Sequence, residues 1–98
     1  MPSVHKLKTL PFEHPTMLAP MEGVTDSVVR DLIGSHGGVG IVCTEFVRVS
    51  SQAVPRKTVR RQVVKTPGIP LSVQVMGNIK ERMAEAAAMV SDAGADVV

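Results

Sequence analysis

The stretch Leu18-Ala19-Pro20-Met21-Glu22-Gly23-Val24-Thr25-Asp26 decides how the chain is read. A short apolar run stops at Pro20, which has no N–H to give to a sheet ladder, so a strand ends there. Gly23 lets the backbone turn, and Asp26 or Ser27 can accept from the free N–H groups that open a helix. The stretch is a strand-to-helix junction whose unusual residues stand at the C-terminal end of the strand. In α/β folds ligands sit at that end.

The same alternation continues on both sides. Residues 16–20 read as a first strand without polar alternation, as expected of a parallel strand buried on both faces. Over residues 27–35, Val28, Val29, Leu32 and Ile33 make one helical stripe that leaves Arg30 and Asp31 outside it. Gly34 and then Gly37-Gly38 stop that helix. A second strand over residues 39–44 finishes at Glu45-Phe46-Val47-Arg48, and residues 50–65, broken by Pro55, read as a loop plus a short basic helix.

After a turn at Thr66-Pro67-Gly68-Ile69-Pro70, residues 71–76 form a third strand alternating around Gln74. Asn78-Ile79-Lys80-Glu81 has the spacing of a capping box, with Asn in place of Ser or Thr. It opens a helix with Ile79, Met83, Ala86, Ala87 and Val90 on one face and Gly94 at its C′ position. Ala95-Asp96-Val97-Val98 begins a fourth strand. The first fifteen residues, with Pro2, Pro11 and Pro15, read as an extended lead-in. Strands alternating with helices imply right-handed crossovers and an α/β fold on a parallel sheet. A last strand of four residues with no covering helix reads as a sequence that has been cut off.

Ninety-eight residues allow one domain at most, and a hydrophobic content of 44% is enough to intend a core. Aromatic residues make up only 2%, with no Trp or Tyr, which argues against base stacking as a recognition device within this segment. No apolar run approaches the ~20 residues that span a bilayer, and the N-terminus has no apolar core of a signal peptide. The single cysteine, Cys43, excludes an internal disulfide and fits a reducing compartment, hence the cytoplasm. The net charge of +2 is small, but no acidic residue occurs between Glu45 and Glu81. Arg48, Arg56, Lys57, Arg60, Arg61, Lys65 and Lys80, seven of the eleven basic residues, fall in that interval. It is either a phosphate-facing surface or a solvated basic face.

The strand ends gather Pro20-Met21-Glu22, Thr44-Glu45-Phe46-Arg48, and Gln74 with Gly77-Asn78 on one rim. Backbone N–H groups, a neutral amide, two carboxylates and a cation suit a planar, polar-edged ligand better than a metal. Gln74 donates and accepts at once, which matches the edge of a flavin or pyrimidine ring. In an apolar strand a buried amide requires a partner, since leaving it unpaired costs about 1–3 kcal/mol. That partner is either a ligand or another part of the protein. Met21 is either a ligand contact or core filler, and Glu22 and Glu45 either face a ligand, cap helices or pair with Arg48. Cys43, inside its strand, reads as a structural thiol. His5, His14 and His36 lack metal-ligand spacing, and Gly37-Gly38-Val39-Gly40 precedes a strand instead of following one, so neither a zinc site nor a phosphate loop is expected.

These residues also carry a resemblance. The opening stretch, Thr44-Glu45-Phe46-Val47-Arg48-Val49, Ser72-Val73-Gln74-Val75-Met76-Gly77 and Gly94-Ala95-Asp96 together resemble the N-terminal part of tRNA-dihydrouridine synthases, most closely the bacterial subgroup acting on uridine 16 of the D-loop. The resemblance implies a partial (β/α)8 barrel, with residues 1–98 supplying the first three to four parallel strands of an FMN-binding domain. It implies that Pro20, Met21 and Glu22 lie along FMN, that Gln74 hydrogen-bonds the isoalloxazine edge, and that Arg48 contacts tRNA. Flavin recharged by NADPH gives hydride to C6 of a flipped-out uracil, and an acid protonates C5. The acid-free interval then becomes part of the RNA-facing rim.

The family's acid is a cysteine in an Asn-x-Gly-Cys-Pro motif just after the fourth strand. By the resemblance that motif is expected beyond Val98, and Cys43 in the second strand does not replace it. No catalytic residue is therefore assigned within residues 1–98, and a helical tRNA-binding domain is not part of them. The chain is expected to be inactive by itself. Another FMN-dependent barrel oxidoreductase, or a non-enzymatic RNA- or partner-binding module, are the competing readings.

Overall fold

The computed structural model describes His14 and residues 16–98; apart from His14, the lead-in lies outside the described residues. The order of elements is β1 (Met17–Leu18), α1 (Ser27–Ser35), β2 (Ile41–Arg48), α2 (Arg56–Gln62), β3 (Leu71–Met76) and α3 (Lys80–Asp92). The three strands form one parallel sheet in sequence order. This is the α/β arrangement expected, and it has the repeating unit of a partial (β/α)8 barrel.

The fourth strand expected over Ala95 to Val98 is not formed as a strand. Val97 makes a single parallel bridge to Ser72, and its carbonyl accepts from Val73 N at 2.8 Å. Val98 lies outside the bridge and is 53% exposed, so the ladder stops one residue short of it.

The core lies on the helix-covered side of the sheet. Val42, Val47, Leu71 and Val73 from the strands meet Val59 of α2 and Ala86 and Val90 of α3. The stripe read on α3 holds, since its two buried residues, Ala86 and Val90, belong to it. Its capping box does not form. The N-cap is Ile79, one residue later than the Asn78 that the spacing indicated, and no side chain caps the helix. Glu81 in the first turn still opposes the helix dipole favourably.

The expectation for α1 is overturned only in part, since Val29 and Ile33 of its stripe are half-buried. Asp26 caps it, accepting from Val29 N at 2.9 Å. Val28 and Leu32 are, however, 72% and 60% exposed, while Arg30 is 0% exposed. Gly34 is buried where a Cβ would stand 2.8 Å from Ile69 Cδ1 and 3.3 Å from Thr66 Cγ2, so no larger residue fits there. The helix turns this face inward since the Arg30 guanidinium finds two backbone carbonyls there, Thr25 O at 3.1 Å and Gln62 O at 2.8 Å. The two-sided burial expected of β1 also fails. It is a two-residue edge strand, and Met17 is exposed.

The segment after α3 is fastened to the start of β3. Asp96 accepts from Leu71 N at 2.9 Å and pairs with Lys65 at 2.8 Å. Partial burial pushes the Asp96 carboxyl up, but the hydrogen bonds from Lys65 and Leu71 outweigh this and hold it below the ordinary carboxylate value. A folded-state value below the unfolded one gives stability that is present above the ordinary value of about 4 and is lost as acid titrates the folded group. Urea melts are expected to lose stability as pH falls below that value, and in Asp96→Asn this component disappears. Asp96→Asn is also expected to cost less than about 1 kcal/mol at neutral pH, because the pair is partly exposed.

Candidate functional site

The arrangement of the rim follows from an irregularity in β2. Val42 pairs with Leu71 and Cys43 with Ser72, but the next pair is Phe46 with Gln74. Thr44 and Glu45 therefore oppose Val73 alone, a β-bulge of the kind that re-aims the following side chains. Strict alternation from Val42 would turn residues 44, 46 and 48 toward the helices. After the bulge Val47 takes the helix side, wholly buried, and Phe46 and Arg48 move to the face shared with Gln74 and Met76. The buried Thr44 hydroxyl stabilises the irregularity, accepting from Gln74 N at 3.2 Å and donating to Glu45 O at 2.8 Å. The strand thus runs through Glu45-Phe46-Val47-Arg48 instead of stopping before it.

Arg48 is exposed, and its guanidinium stands over the Phe46 ring, 5.9 Å from the centroid. Gln74 is exposed as well, so the argument from burial for an obligatory partner does not apply to it. Its side-chain amide makes no hydrogen bond to the other described residues, leaving both its donors and its acceptor available.

Beyond β1, residues 22–24 form a turn with Gly23 at φ 81°, the left-handed region that favours glycine. Val24 N and Thr25 N both donate to Met21 O, at 2.9 and 3.0 Å, and the buried Thr25 hydroxyl accepts from Met21 N at 2.8 Å. With its backbone so held, Met21 is 60% exposed. Glu22 is exposed and Pro20 half-buried. Glu45 neither caps a helix nor pairs with Arg48; its carboxylate accepts from Gly23 N and joins the end of β2 to the Met21 turn.

Phe46, Arg48, Gln74 and Met76 therefore share one sheet face, and the Met21 turn adjoins the same end of β2. Cys43 is buried within the strand, a structural position. Val98, after which the resemblance expects the cysteine motif, is an exposed aliphatic residue beside the Val97 bridge and brings no chemical group to the rim. The acid-free interval does not stay together. Arg56 and Lys57 open α2 just after the β2 exit, whereas Lys65 reaches Asp96 at the opposite end of β3. Hollows of about 340 and 420 Å³ also lie away from the rim, lined by the loops that precede β2 and β3. Among the described residues no group of three or more His, Cys, Asp or Glu could hold a metal ion, and no helix is long and apolar enough to cross a membrane. Arg30 and the Glu45–Gly23 contact are the features that sequence reasoning missed. Arg30 stands beside Asp31 on what reads as the polar side of α1, and nothing in that pattern signals a guanidinium turned inward.

Three parallel strands with their helices, and polar groups collected at the carboxyl ends of those strands, define an α/β unit of the partial-barrel class. The family model described as dihydrouridine synthase (Dus) matches residues 17–98, and the chain belongs to that family. It is 37% identical over 94 residues to a probable tRNA-dihydrouridine synthase of Rhodobacter capsulatus, covering 94% of this chain and 29% of that protein. It is 38% identical over 91 residues to the tRNA-dihydrouridine(16) synthase of Ralstonia nicotianae, covering 83% and 28%. With the protein of the same name from Escherichia coli K12 the identity is 39% over 85 residues, covering 80% and 27%. The chain thus spans between a quarter and a third of the length of these relatives.

Proposed function

We propose that residues 1–98 are the N-terminal portion of the FMN-binding barrel of a cytoplasmic tRNA-dihydrouridine synthase that reduces uridine 16 of the D-loop with NADPH as reductant. The observation that carries this reading is the single sheet face on which the β2 bulge sets Arg48 beside Gln74 and Met76. The residues fit a flavin. An unengaged amide at Gln74 matches the alternating ring edge, and Pro20, Met21 and Glu22 offer a backbone turn and an exposed thioether along its plane. When bound and reduced, FMN supplies the hydride for the uracil ring.

The chain's own residues bind and orient. Gln74 holds the ring edge, and the turn at Met21 limits how the ring can slide. Arg48, kept upright by Phe46, presents a planar cation to a tRNA phosphate or base. Arg56 and Lys57 extend the positive surface beside it. Cys43, only 6% exposed within β2, is not placed to protonate C5. The role proposed for these residues is to bind and orient.

Titrating the chain into FMN is expected to quench flavin fluorescence, and Gln74→Leu should raise Kd about tenfold, the loss of one or two hydrogen bonds to the ring edge. An unchanged Kd in Gln74→Leu would remove Gln74 from the cofactor site. Binding to unmodified tRNA should weaken with salt, and Arg48→Ala should lower the slope of log K against log salt by about 0.7–0.9, the share of one phosphate contact. Equal slopes for the two proteins would mean that Arg48 does not meet a phosphate.

A further inference from the structure

We propose that Glu45 is a positioning residue for the Met21 turn, fixing the ligand-facing backbone of one loop from the end of the neighbouring strand. The bulge puts Thr44 and Glu45 out of the regular ladder, so the Glu45 side chain leaves the strand in a direction that alternation does not offer. There it accepts from Gly23 N. The turn at residues 22–24 is closed internally through Met21 O, but Gly23 N takes no part in that closure and is held from β2 alone.

Behind the turn, Arg30 is buried and donates to Thr25 O at 3.1 Å, while its Nε has no partner. Glu45 and Asp26 lie close enough that their charges partly counter the lowering of the Arg30 pKa by burial. A negative charge at Glu45 therefore has two reasons to stay on this side of the strand, the Gly23 amide and the guanidinium behind it. The turn is braced twice as a result, at Met21 by Thr25 from within its own loop and at Gly23 by Glu45 from β2. The β2 end carries Arg48 three residues further on, so one side chain sets the spacing between the two loops of the rim.

This inference rests on the reading of the Met21 turn as the flavin side, and the experiment separates the two. Amide hydrogen exchange is followed by NMR in the wild-type chain, Glu45→Gln and Glu45→Ala, alongside FMN titrations of all three. In the wild type, Gly23 N–H is expected to exchange at least about tenfold more slowly than Glu22 N–H, because a charge-assisted hydrogen bond protects it. Glu45→Ala should accelerate Gly23 about tenfold while Val42 and Val73 keep their protection, and Glu45→Gln, whose carbonyl oxygen can still accept, should restore most of it. The FMN Kd should rise in Glu45→Ala and return toward the wild-type value in Glu45→Gln.

A merely structural role predicts parallel loss at Gly23, Val42 and Val73, and that result overturns the proposal. So does a wild-type Gly23 amide that exchanges as fast as Glu22, which can be read even if Glu45→Ala does not fold. Should Gly23 respond as stated while none of the three proteins binds FMN, the positioning role stands and the flavin assignment falls.

Discussion

Arg30→Ala is expected to lose about 3–5 kcal/mol and to leave the chain largely unfolded at 25 °C, since truncating a buried charge-assisted group costs roughly this much and a domain of this size has little in reserve. Arg30 is 0% exposed and joins three elements, from α1 to the carbonyl of Thr25 before it and to the carbonyl of Gln62 at the end of α2. Alanine leaves both carbonyls without a donor in a region water does not reach, and adds a cavity the size of the lost side chain. Burial pushes the guanidinium pKa down, while Glu45 and Asp26 push it back up, and an arginine remains charged at neutral pH.

Two further variants separate packing from hydrogen bonding. Arg30→Met restores most of the volume but donates to neither carbonyl, and it should be nearly as unstable as Arg30→Ala. Arg30→Lys keeps the charge yet cannot reach two carbonyls from one planar fork, and it should lose about half as much. Urea midpoints by circular dichroism measure all three. A methionine variant within about 1 kcal/mol of wild type would show that the carbonyls find other donors.

The same arginine shows where the sequence was legible and where it was not. Element types and their order could be read from period and punctuation, because Pro20, Gly37-Gly38, Pro55 and Gly94 mark the breaks and the apolar residues of α3 recur on one face, although Gly34 lies within α1 and does not stop it. The orientation of α1 could not be read that way. A hydrophobic stripe says which side prefers to leave water, but α1 also turns Arg30 inward, the one side chain on the helix with the reach and the donors to meet the carbonyls of Thr25 and Gln62. Val28 and Leu32 stand exposed on its other side.

The rim was legible as a set of residues and not as a geometry. Pro20-Met21-Glu22, Arg48 and Gln74 stand out because chargeable and amide groups follow apolar runs. That Arg48 and Gln74 share a face depends on two residues of β2 opposing one of β3. Nothing in the letters Thr44-Glu45 announces a bulge, as Thr favours a strand and Glu is only mildly disfavoured in one. The bulge becomes visible only when the register on its two sides is compared and the Thr44 hydroxyl is seen in place of a ladder carbonyl.

Gly77→Ala should cost about 2–3 kcal/mol and disturb the rim at the same time, because the added methyl has nowhere to go. Gly77 follows directly on β3 and lies outside the left-handed region, so its backbone would tolerate a side chain. Space is the obstacle. An ideal Cβ there would stand 2.5 Å from Val49 O, 2.9 Å from Val49 Cβ and 3.0 Å from Met83 Sδ. Met83 can swing aside, but the Val49 carbonyl belongs to a backbone whose N–H donates to Met76 O at 2.8 Å, and the Val49 side chain is part of the core. Relief therefore requires the exits of β2 and β3 to move apart, which changes the spacing between Arg48 and Met76 that the register fixes. Gly68→Ala is the control. It stands in open space at φ 80°, so it should show only the strain of a left-handed alanine, about 1 kcal/mol, with no effect at the rim. Urea melts with amide chemical shifts at Arg48, Val49 and Gln74 distinguish the two outcomes. If Gly77→Ala shifts those amides no more than Gly68→Ala does, the close approach of the two strand exits is not what holds this face in shape.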